Sequence, residues 1–342
     1  MKRTLQYHVT GADLPATVHQ FLRGRGYSRH ILASLKPHPD AVLLNGAHVF
    51  FKTSLSDGDV LTVTVRDEIS SVNIAPAPVP FSIVYEDADL MVINKPANVS
   101  ILPAINHPAD TLANGVAELY RQRGIPYVFR SINRLDRDTT GLLILANNVL
   151  SASILEGALQ RRAIRRTYLA IAEGETPEAG TIDLPIGRVS DSLIERCVDP
   201  EHGDRAVTHY RRLQAISPVA SGTQLPGGGS PDACSLLALH LETGRTHQIR
   251  VHMAAIGHPL LGDTLYNPRA AAALRGISPD CTRPSASAEN PTGTICISRQ
   301  ALHAWKLDFR HPITGEPMHF EAPVPPDMTG FLGGVPMECS PE

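Results

Sequence analysis

The sequence lacks the features that mark membrane, disulfide-rich and metal-binding proteins. No apolar run approaches the roughly 20 residues needed to span a bilayer. The N-terminus (Met1-Lys-Arg-Thr-Leu-Gln) has no signal-peptide core, so we expect a cytoplasmic protein without membrane contact. Its 5 cysteines among 342 residues are scattered, odd in number and never in a C-x-x-C pair. This argues against a disulfide framework and a zinc site, and we expect no metal.

A global excess of basic charge is also absent, because the formal net charge is −3 at pH 7. The basic residues that could matter are local, in two arginine-rich segments: Arg121, Arg123, Arg130, Arg134 and Arg137, then Arg161, Arg162, Arg165 and Arg166. Basic patches on a near-neutral protein can bind RNA by counterion release. Solvated arginines on helix faces explain each one, taken singly, about as well.

One stretch, residues 131–146, joins a dense polar cluster to an apolar run. The cluster consists of Asn133, Arg134, Asp136, Arg137 and Asp138. The run 142–145 is too short for most helices and predicts a buried strand, which the chain enters at Gly141. Two acids and two arginines therefore lie on a loop anchored to the core, where a rigid scaffold can orient them. On residue types alone, a turn whose charges pair with one another is the commoner alternative.

Residues 1–69 predict a small α+β unit. Val18, Phe21 and Leu22 lie at helical spacing, and Ser28 can cap a second helix over 29–35. Asn45-Gly46 predicts a hairpin, and residues 60–65 alternate as a strand. Pro76, Pro78 and Pro80 then predict an extended linker over 70–80.

This unit resembles the S4-like RNA-binding domain in Ser28-Arg29, Asn45-Gly46, Val49 and Gly58-Asp59. A generic α+β unit is the alternative. The resemblance implies that its basic side chains contact RNA phosphates; these are Arg23, Arg25, Arg29 and Lys36.

Residues 81–325 predict a second, larger domain of mixed helices and strands. Two segments, 218–233 and 267–294, have few apolar residues or are rich in Gly, Ser and Pro, and predict long loops. Residues 326–342 predict a flexible tail.

Two motifs of the larger domain carry a family resemblance. Arg134-Leu135-Asp136-x-x-Thr139-x-Gly141 resembles the signature of the RluA-type pseudouridine synthases, which isomerise uridine within RNA. Gly244-Arg-Thr-His-Gln-Ile-Arg-Val-His252 resembles the third motif of that family, and Gly262-Asp263 and Tyr266 continue the match. Asn133 and Thr140 stand where the family usually has His and Ser. The resemblance implies an α+β pseudouridine synthase fold, with a mixed, mainly antiparallel sheet flanked by helices.

The resemblance also implies a set of site residues. Asp136 would be the catalytic carboxylate, held by Arg250 through two parallel hydrogen bonds. Tyr168, a second catalytic residue, would pack on the flipped uracil, and its hydroxyl would help to move the C5 proton. Lys95 would brace the loop as a structural residue. The substrate would be bound by Arg134, which fills the vacated space, and by Arg245, His247, Leu260 and Leu261.

Each role has an ordinary structural alternative. Arg250 could be a helix-surface charge, Tyr168 a core tyrosine, and Leu260 and Leu261 core packing. For Asp138 we expect a loop cap.

The resulting expectation is a pseudouridine synthase that acts on structured RNA, with ribosomal RNA ahead of transfer RNA. Isomerisation is redox-neutral and self-contained, so we expect no cofactor, and we expect a monomer. Two other classes stay open: an RNA-binding protein that keeps the fold without catalysis, and an enzyme that hydrolyses an N-glycosidic bond with the same carboxylate. The sequence identifies neither the RNA nor the uridine.

Overall fold

The computed structural model describes the chain except residues 68–69, 72, 105–106, 191, 193, 217–232, 272–296 and 332–342. The two predicted long loops therefore lie outside the described residues, apart from 233 and 267–271. Within the described ranges, no helix combines the length and hydropathy that crossing a bilayer requires.

The N-terminal residues form a small antiparallel sheet with two helices against it. The elements are β1 (Lys2–His8), α1 (Val18–Gly24), α2 (Arg29–Leu35), β2 (Val42–Leu44), β3 (Ala47–His48) and β4 (Val60–Arg66). The strand order is β1-β4-β2-β3. The predicted second helix is confirmed, because the Ser28 hydroxyl accepts the Ile31 amide at 3.2 Å and caps α2. Strand β1 was not predicted. Leu5 is its single buried residue, and one buried apolar position does not produce a periodic pattern in the sequence.

The remaining elements build the larger domain. They are β5 (Ser82–Glu86), β6 (Leu90–Lys95), α3 (Leu112–Gln122), β7 (Thr140–Ala146), α4 (Val149–Gln160), β8 (Arg165–Glu173), β9 (Ala179–Asp183), β10 (Ile186–Arg188), β11 (Arg196–Val198), β12 (Val207–Ile216), β13 (Cys234–Leu241), α5 (Gln248–Ala255), β14 (Leu302–Arg310), β15 (Pro317–Glu321) and α6 (Pro326–Phe331).

Nine of these strands form one sheet in the described part of the chain, in the order β5-β6-β7-β14-β8-β13-β12-β9, with β15 paired to β14. The β7–β14 pair is parallel, and the other described pairs are antiparallel. Strands β10 and β11 pair separately. Helices α3 and α5 cover one face through Val116 and Ile249, and α4 covers the other through Leu155. The predicted α+β fold with a mixed, mainly antiparallel sheet is confirmed.

The strand predicted over 142–145 is the buried strand β7, and its side chains serve both faces. Leu143 and Leu145 join the cluster under α3 and α5, whereas Leu142 and Ile144 join the cluster under α4. All seven residues of β7 are buried. An uninterrupted apolar run is what a strand buried on both faces requires.

The N-terminal unit is fixed against the larger domain. The Arg3 guanidinium donates two hydrogen bonds to the buried Asp89 carboxylate, at 2.9 and 2.6 Å. Leu150 of α4 is buried in the core of the N-terminal unit, and the Ser153 hydroxyl donates to the Gly26 carbonyl at 3.0 Å. The proline-rich segment is also held, since the Asn114 amide donates to the Ala75 carbonyl at 2.7 Å. The segment therefore lies along α3 and does not act as a free tether.

Residues 326–331, predicted as the start of a flexible tail, instead form α6. Met328 and Phe331 are buried beside Trp305. Arg299 pairs with Asp327 through two hydrogen bonds of 2.7 and 2.9 Å. The Pro and Gly content of the segment obscured two apolar side chains that a helix brings to one side. The rest of the predicted tail lies outside the described residues.

Gly141 is required where β7 meets β14. In register, Gly141 lies opposite Ala304, which lies opposite Tyr168. A Cβ at Gly141 would press on the Ala304 carbonyl oxygen and lie 2.7 Å from its amide nitrogen. The φ angle of Gly141 is +108°, which side chains rarely adopt. The signature glycine therefore permits the close approach of two central strands.

We expect Gly141→Ala to destabilise the protein by on the order of 4 kcal/mol, because the added methyl group must separate two buried strands. The matched control is Gly24→Ala, where a Cβ meets nothing within 4 Å. Thermal unfolding measures both variants. Equal midpoints for Gly141→Ala and the parent would show that β7 and β14 do not need this approach.

Candidate active site

The signature loop is fastened to β7 by Asn133. Its amide oxygen accepts the Ile144 N–H at 2.9 Å, and its amide nitrogen lies 3.4 Å from the Leu142 carbonyl. Leu135 is buried in the core, whereas the next residue, Asp136, keeps 24% of its side chain exposed. Asn133, which stands where the family usually has His, thus hydrogen-bonds to the backbone of β7. The loop presents Asp136 at the surface of the core without letting it move freely.

Lys95, at the end of β6, holds the far side of the same loop. The side chain is fully buried, and its ammonium donates to the carbonyls of Pro96, Val99 and Arg137 at 2.9, 2.8 and 2.8 Å. Burial lowers the pKa of Lys95 to about 7, although the charges of Asp138 and Asp136 oppose this. Three carbonyl acceptors match the three protons of the charged form. These contacts agree with the structural role predicted for Lys95.

Arg250 of α5 joins Asp136 to a second carboxylate. Its Nη1 donates to Asp136 Oδ2 at 3.3 Å. Its Nε and Nη2 donate to Asp263 at 2.7 and 2.9 Å, and Asp263 is fully buried. The two parallel hydrogen bonds predicted for Asp136 therefore go to Asp263, and Asp136 receives one. A carboxylate that is fully buried needs a charged partner more than one that keeps contact with water.

The guanidinium of Arg250 is held as a permanent charge. Burial opposes that charge, but the hydrogen bonds and charge of Asp263, with a further contribution from Asp136, raise the pKa of Arg250 above its ordinary value. The ring of Tyr266 lies 5.0 Å from the guanidinium carbon and covers it. A helix-surface charge, the alternative reading of Arg250, does not fit a side chain that is 8% exposed.

His247 points toward Asp136 from the start of α5. Its Nε2 lies 4.0 Å from Asp136 Oδ2, and its Nδ1 lies 2.8 Å from the Tyr266 hydroxyl. Burial lowers the pKa of His247, and the charge of Asp136 opposes this shift. The Tyr266 hydroxyl already accepts the Arg196 amide at 2.9 Å, and its own proton is left for Nδ1. We therefore assign the ring proton to Nε2, facing Asp136.

Tyr168 and Leu260 lie on the same face of the sheet as the core residue Leu135. Tyr168 is 4% exposed; burial raises the pKa of its hydroxyl, Arg166 opposes the rise and Asp136 adds to it. Leu261 belongs to a different cluster, with Trp305, so core packing describes it better than the predicted substrate contact. Neighbouring residues of an extended segment point to opposite sides, which the pair Leu260-Leu261 could not reveal in sequence.

Two predicted substrate contacts lie at the periphery of this arrangement. Arg134 is exposed, and no ion pair or hydrogen bond holds its side chain among the described residues. Arg245 is engaged elsewhere, with its Nη1 3.2 Å from Asp204 and its Nε donating to the Arg205 carbonyl. Asp138 accepts the Asn98 amide at 3.1 Å, which is the loop cap expected for it.

Asp263 is the residue that sequence reasoning did not assign. Besides holding Arg250, its Oδ1 accepts the amides of Leu265 and Tyr266 at 3.0 and 3.1 Å, which shapes the turn after Gly262. Its position in the stretch Gly262-Asp263 and Tyr266 was part of the family match. An acid after a glycine reads as turn chemistry, and nothing local indicates its partner 13 residues earlier.

A second acidic cluster, Asp87, Asp89 and His311, lies in the turn between β5 and β6 and beside β14. One carboxylate oxygen of each aspartate and one ring nitrogen of the histidine lie within 4.8 Å of one another. Asp89 accepts both hydrogen bonds of Arg3, and Asp87 accepts the amide of Leu90 and the His311 ring at 2.8 Å each. The cluster is thus built into the contact between the N-terminal unit and the larger domain.

Comparison with known proteins identifies the class. Residues 89–255, which contain Asp136, Tyr168 and Arg250, match the family model of RNA pseudouridylate synthase. A solved structure of human RNA pseudouridylate synthase domain containing 1 superposes with a TM-score of 0.51 at 25% identity, over 72% of this chain and 84% of that one. The fold is therefore that of an enzyme class that converts uridine in RNA to pseudouridine.

Two curated relatives narrow the class. A Bacillus subtilis (strain 168) protein named uncharacterized RNA pseudouridine synthase YjbO is 38% identical over 319 residues, which are 93% of this chain and 99% of that protein. Ribosomal large subunit pseudouridine synthase D of Vibrio vulnificus (strain CMCP6) is 40% identical over 280 residues, or 81% and 77% of the two chains. The chain belongs to the RluA-type RNA pseudouridine synthases and is an isomerase.

We expect Asp263→Asn to slow isomerisation by about 100-fold, because an amide cannot hold both donors of Arg250 and a small misplacement of Asp136 has an effect of this size. RNA affinity should change little. The rate is measured under single-turnover conditions on total RNA from cells that lack the gene. The matched control is Asp67→Asn, which breaks a two-bond pair with Arg130 away from the site. An unchanged rate in Asp263→Asn would show that Arg250 is oriented without this carboxylate.

Proposed function

We propose that the enzyme isomerises specific uridines of structured ribosomal RNA, with Asp136 as the catalytic carboxylate and the target uridine flipped out of its stack. The observation that carries the proposal is the position of Asp136, partly exposed and hydrogen-bonded to a buried arginine that is itself fixed by Asp263. Transfer RNA is the second candidate substrate. The name of the Vibrio vulnificus relative, a ribosomal large subunit enzyme, supports ribosomal RNA. With such a substrate, the enzyme is proposed to act in the cytoplasm.

The reaction breaks the C1′–N1 glycosidic bond, turns the uracil and joins its C5 to C1′. As in glycoside cleavage, an ionised carboxylate can attack C1′ or stabilise the positive charge that develops on the sugar. Arg250 donates a hydrogen bond to Asp136, and Nε2 of His247 lies 4.0 Å from the same oxygen. After C5 bonds to the sugar, its proton must be removed and N1 must gain one, so the overall change is balanced without a cofactor.

The pocket for the uracil is proposed to lie beside Tyr168 and Leu260. Both residues belong to the same buried cluster as Leu135, the residue that precedes Asp136 in the sequence. An aromatic ring and an apolar side chain suit the two faces of a base that has left its stack. The exposed Arg134 is free to enter the space that the base vacates, because no described residue holds its side chain.

We expect Asp136→Asn to abolish pseudouridine formation while RNA affinity stays within about twofold, because the change removes charge and leaves shape intact. The matched control, Asp138→Asn, alters the other acid of the loop and retains an oxygen that can accept the Asn98 amide. Both variants are compared by pseudouridine mapping on total RNA from cells that lack the gene. Activity above trace level in Asp136→Asn would refute its role, and release of free uracil by the parent enzyme would indicate hydrolysis.

The N-terminal unit is proposed to be an S4-like RNA-binding domain. The exposed side chains of Arg29 and Lys36 have no ion pair or hydrogen bond with any described residue. Arg23 donates to the Tyr27 carbonyl at 3.0 Å. Arg25 pairs with Asp13 at 3.0 Å, and its guanidinium lies 4.8 Å from the centre of the Phe21 ring. All four of these basic side chains can approach phosphates. Arg29 and Lys36 can do so without breaking a contact within the protein.

We therefore expect Arg29→Gln to weaken RNA binding more than Arg25→Gln. Loss of one phosphate contact should lower the slope of log K against log salt by roughly 0.7 to 0.9. Filter binding at several salt concentrations measures the slope for the parent and both variants. Equal slopes for Arg29→Gln and the parent would remove Arg29 from the RNA interface.

A further inference from the structure

A groove in the N-terminal unit combines an exposed aromatic ring with basic side chains. The groove has a volume of about 740 Å³ and lies between α1, the end of α2 and the residues that follow β3. Its lining includes Lys36, His38, His48, Phe50 and Lys52, and contains no aspartate or glutamate.

Phe50 is exposed because of the way its neighbours pack. Val49 and Phe51 on either side lie against the core of the N-terminal unit, and alternation along the chain turns Phe50 outward. It is 69% exposed, the highest value for a large apolar side chain in the described part of the protein. An isolated apolar side chain at a surface is ordinary. Phe50 differs because it borders a groove with basic lining.

The backbone holds Phe50 in this exposed position. The Thr53 amide donates to the Phe50 carbonyl at 3.0 Å, and the His19 amide donates to the Phe51 carbonyl at 2.8 Å. The edge of the His48 ring packs against Phe50 with centroids 5.3 Å apart, and His48 Nδ1 lies 2.9 Å from the Pro39 carbonyl. The ring is therefore presented on a fixed turn next to a second aromatic ring.

We propose that this groove binds unpaired nucleotides of the RNA substrate, with a base stacked on Phe50 and the adjoining phosphates near Lys36 and Lys52. Aromatic rings beside a positive groove are the means by which proteins hold single-stranded nucleic acid. A paired helix hides its base faces, so Phe50 selects unpaired segments. Because basic side chains line the groove and acidic ones do not, a polyanion fits it better than a protein surface without excess negative charge. The inference rests on the proposed RNA-binding role of this unit.

The test uses the full chain with two RNAs of equal length, a single-stranded oligouridylate and a blunt-ended duplex that has no unpaired nucleotide. We expect Phe50→Ala to weaken binding to the single strand by roughly 5- to 150-fold and binding to the duplex hardly at all. Phe50→Trp should restore affinity, and single-stranded RNA should quench the fluorescence of the new tryptophan above the background of Trp305. The matched control is Ile83→Ala, an exposed apolar side chain on the edge strand β5.

The variants Lys36→Gln and Lys52→Gln should weaken both RNAs and lower the salt slope by about 0.7 to 0.9 each. Unchanged binding of both RNAs by Phe50→Ala would overturn the proposal and leave the groove to a protein partner. A separate measurement, pseudouridine formation at saturating cellular RNA, distinguishes failure of the proposed function from failure of the groove proposal. A parent enzyme that forms no pseudouridine would refute the proposed function, whereas quenching of Phe50→Trp by the single strand would still support the groove.

Discussion

The buried guanidinium of Arg250 is the interaction on which the arrangement of the site depends. A charge removed from water needs acceptors for all its donors, and one carboxylate cannot supply them. Asp263 takes two hydrogen bonds from inside the protein, and Asp136 takes one from the solvent side. The electrostatic requirement of a single residue thus joins the turn after Gly262, helix α5 and the loop before β7. Asp136 lies at the only end of this chain of charges, among the described residues, that reaches water.

The sheet determines that these parts meet. The signature loop ends where β7 pairs with β14 in parallel, and β14 pairs in turn with β8, so Gly141, Ala304 and Tyr168 form one row. Helix α5 covers the face on which Tyr168 lies, through Ile249. A side chain larger than hydrogen at Gly141 would widen the row and shift Asp136 relative to both elements. Backbone geometry in the signature therefore helps to set the position of Asp136.

The sequence predicted what short-range chemistry determines. Ser28 as a cap, Asn45-Gly46 as a turn and the apolar run of β7 each need only their neighbours, and each is found in the structure. The family resemblance supplied the meeting of Asp136 with Arg250, which no local pattern contains. It did not supply the partner of the two-bond contact, because the choice between Asp136 and Asp263 depends on which carboxylate is buried. Burial is a property of the whole fold. The neighbours Leu260 and Leu261 illustrate this, because they are buried in two different core clusters.

The hairpin of β5 and β6 connects the N-terminal unit to the signature loop. In its turn, Asp89 holds Arg3 of β1; at its end, Lys95 holds the Arg137 carbonyl next to Asp136. Both contacts are part-buried hydrogen bonds with at least one charged partner, which makes them stronger and more directional than hydrogen bonds between neutral groups. The proposed RNA-binding unit is therefore joined to the loop of Asp136 by a short, hydrogen-bonded route and not by a flexible tether. The proposed RNA-binding role of this unit depends on such rigidity, because a mobile unit would present many uridines to the same carboxylate.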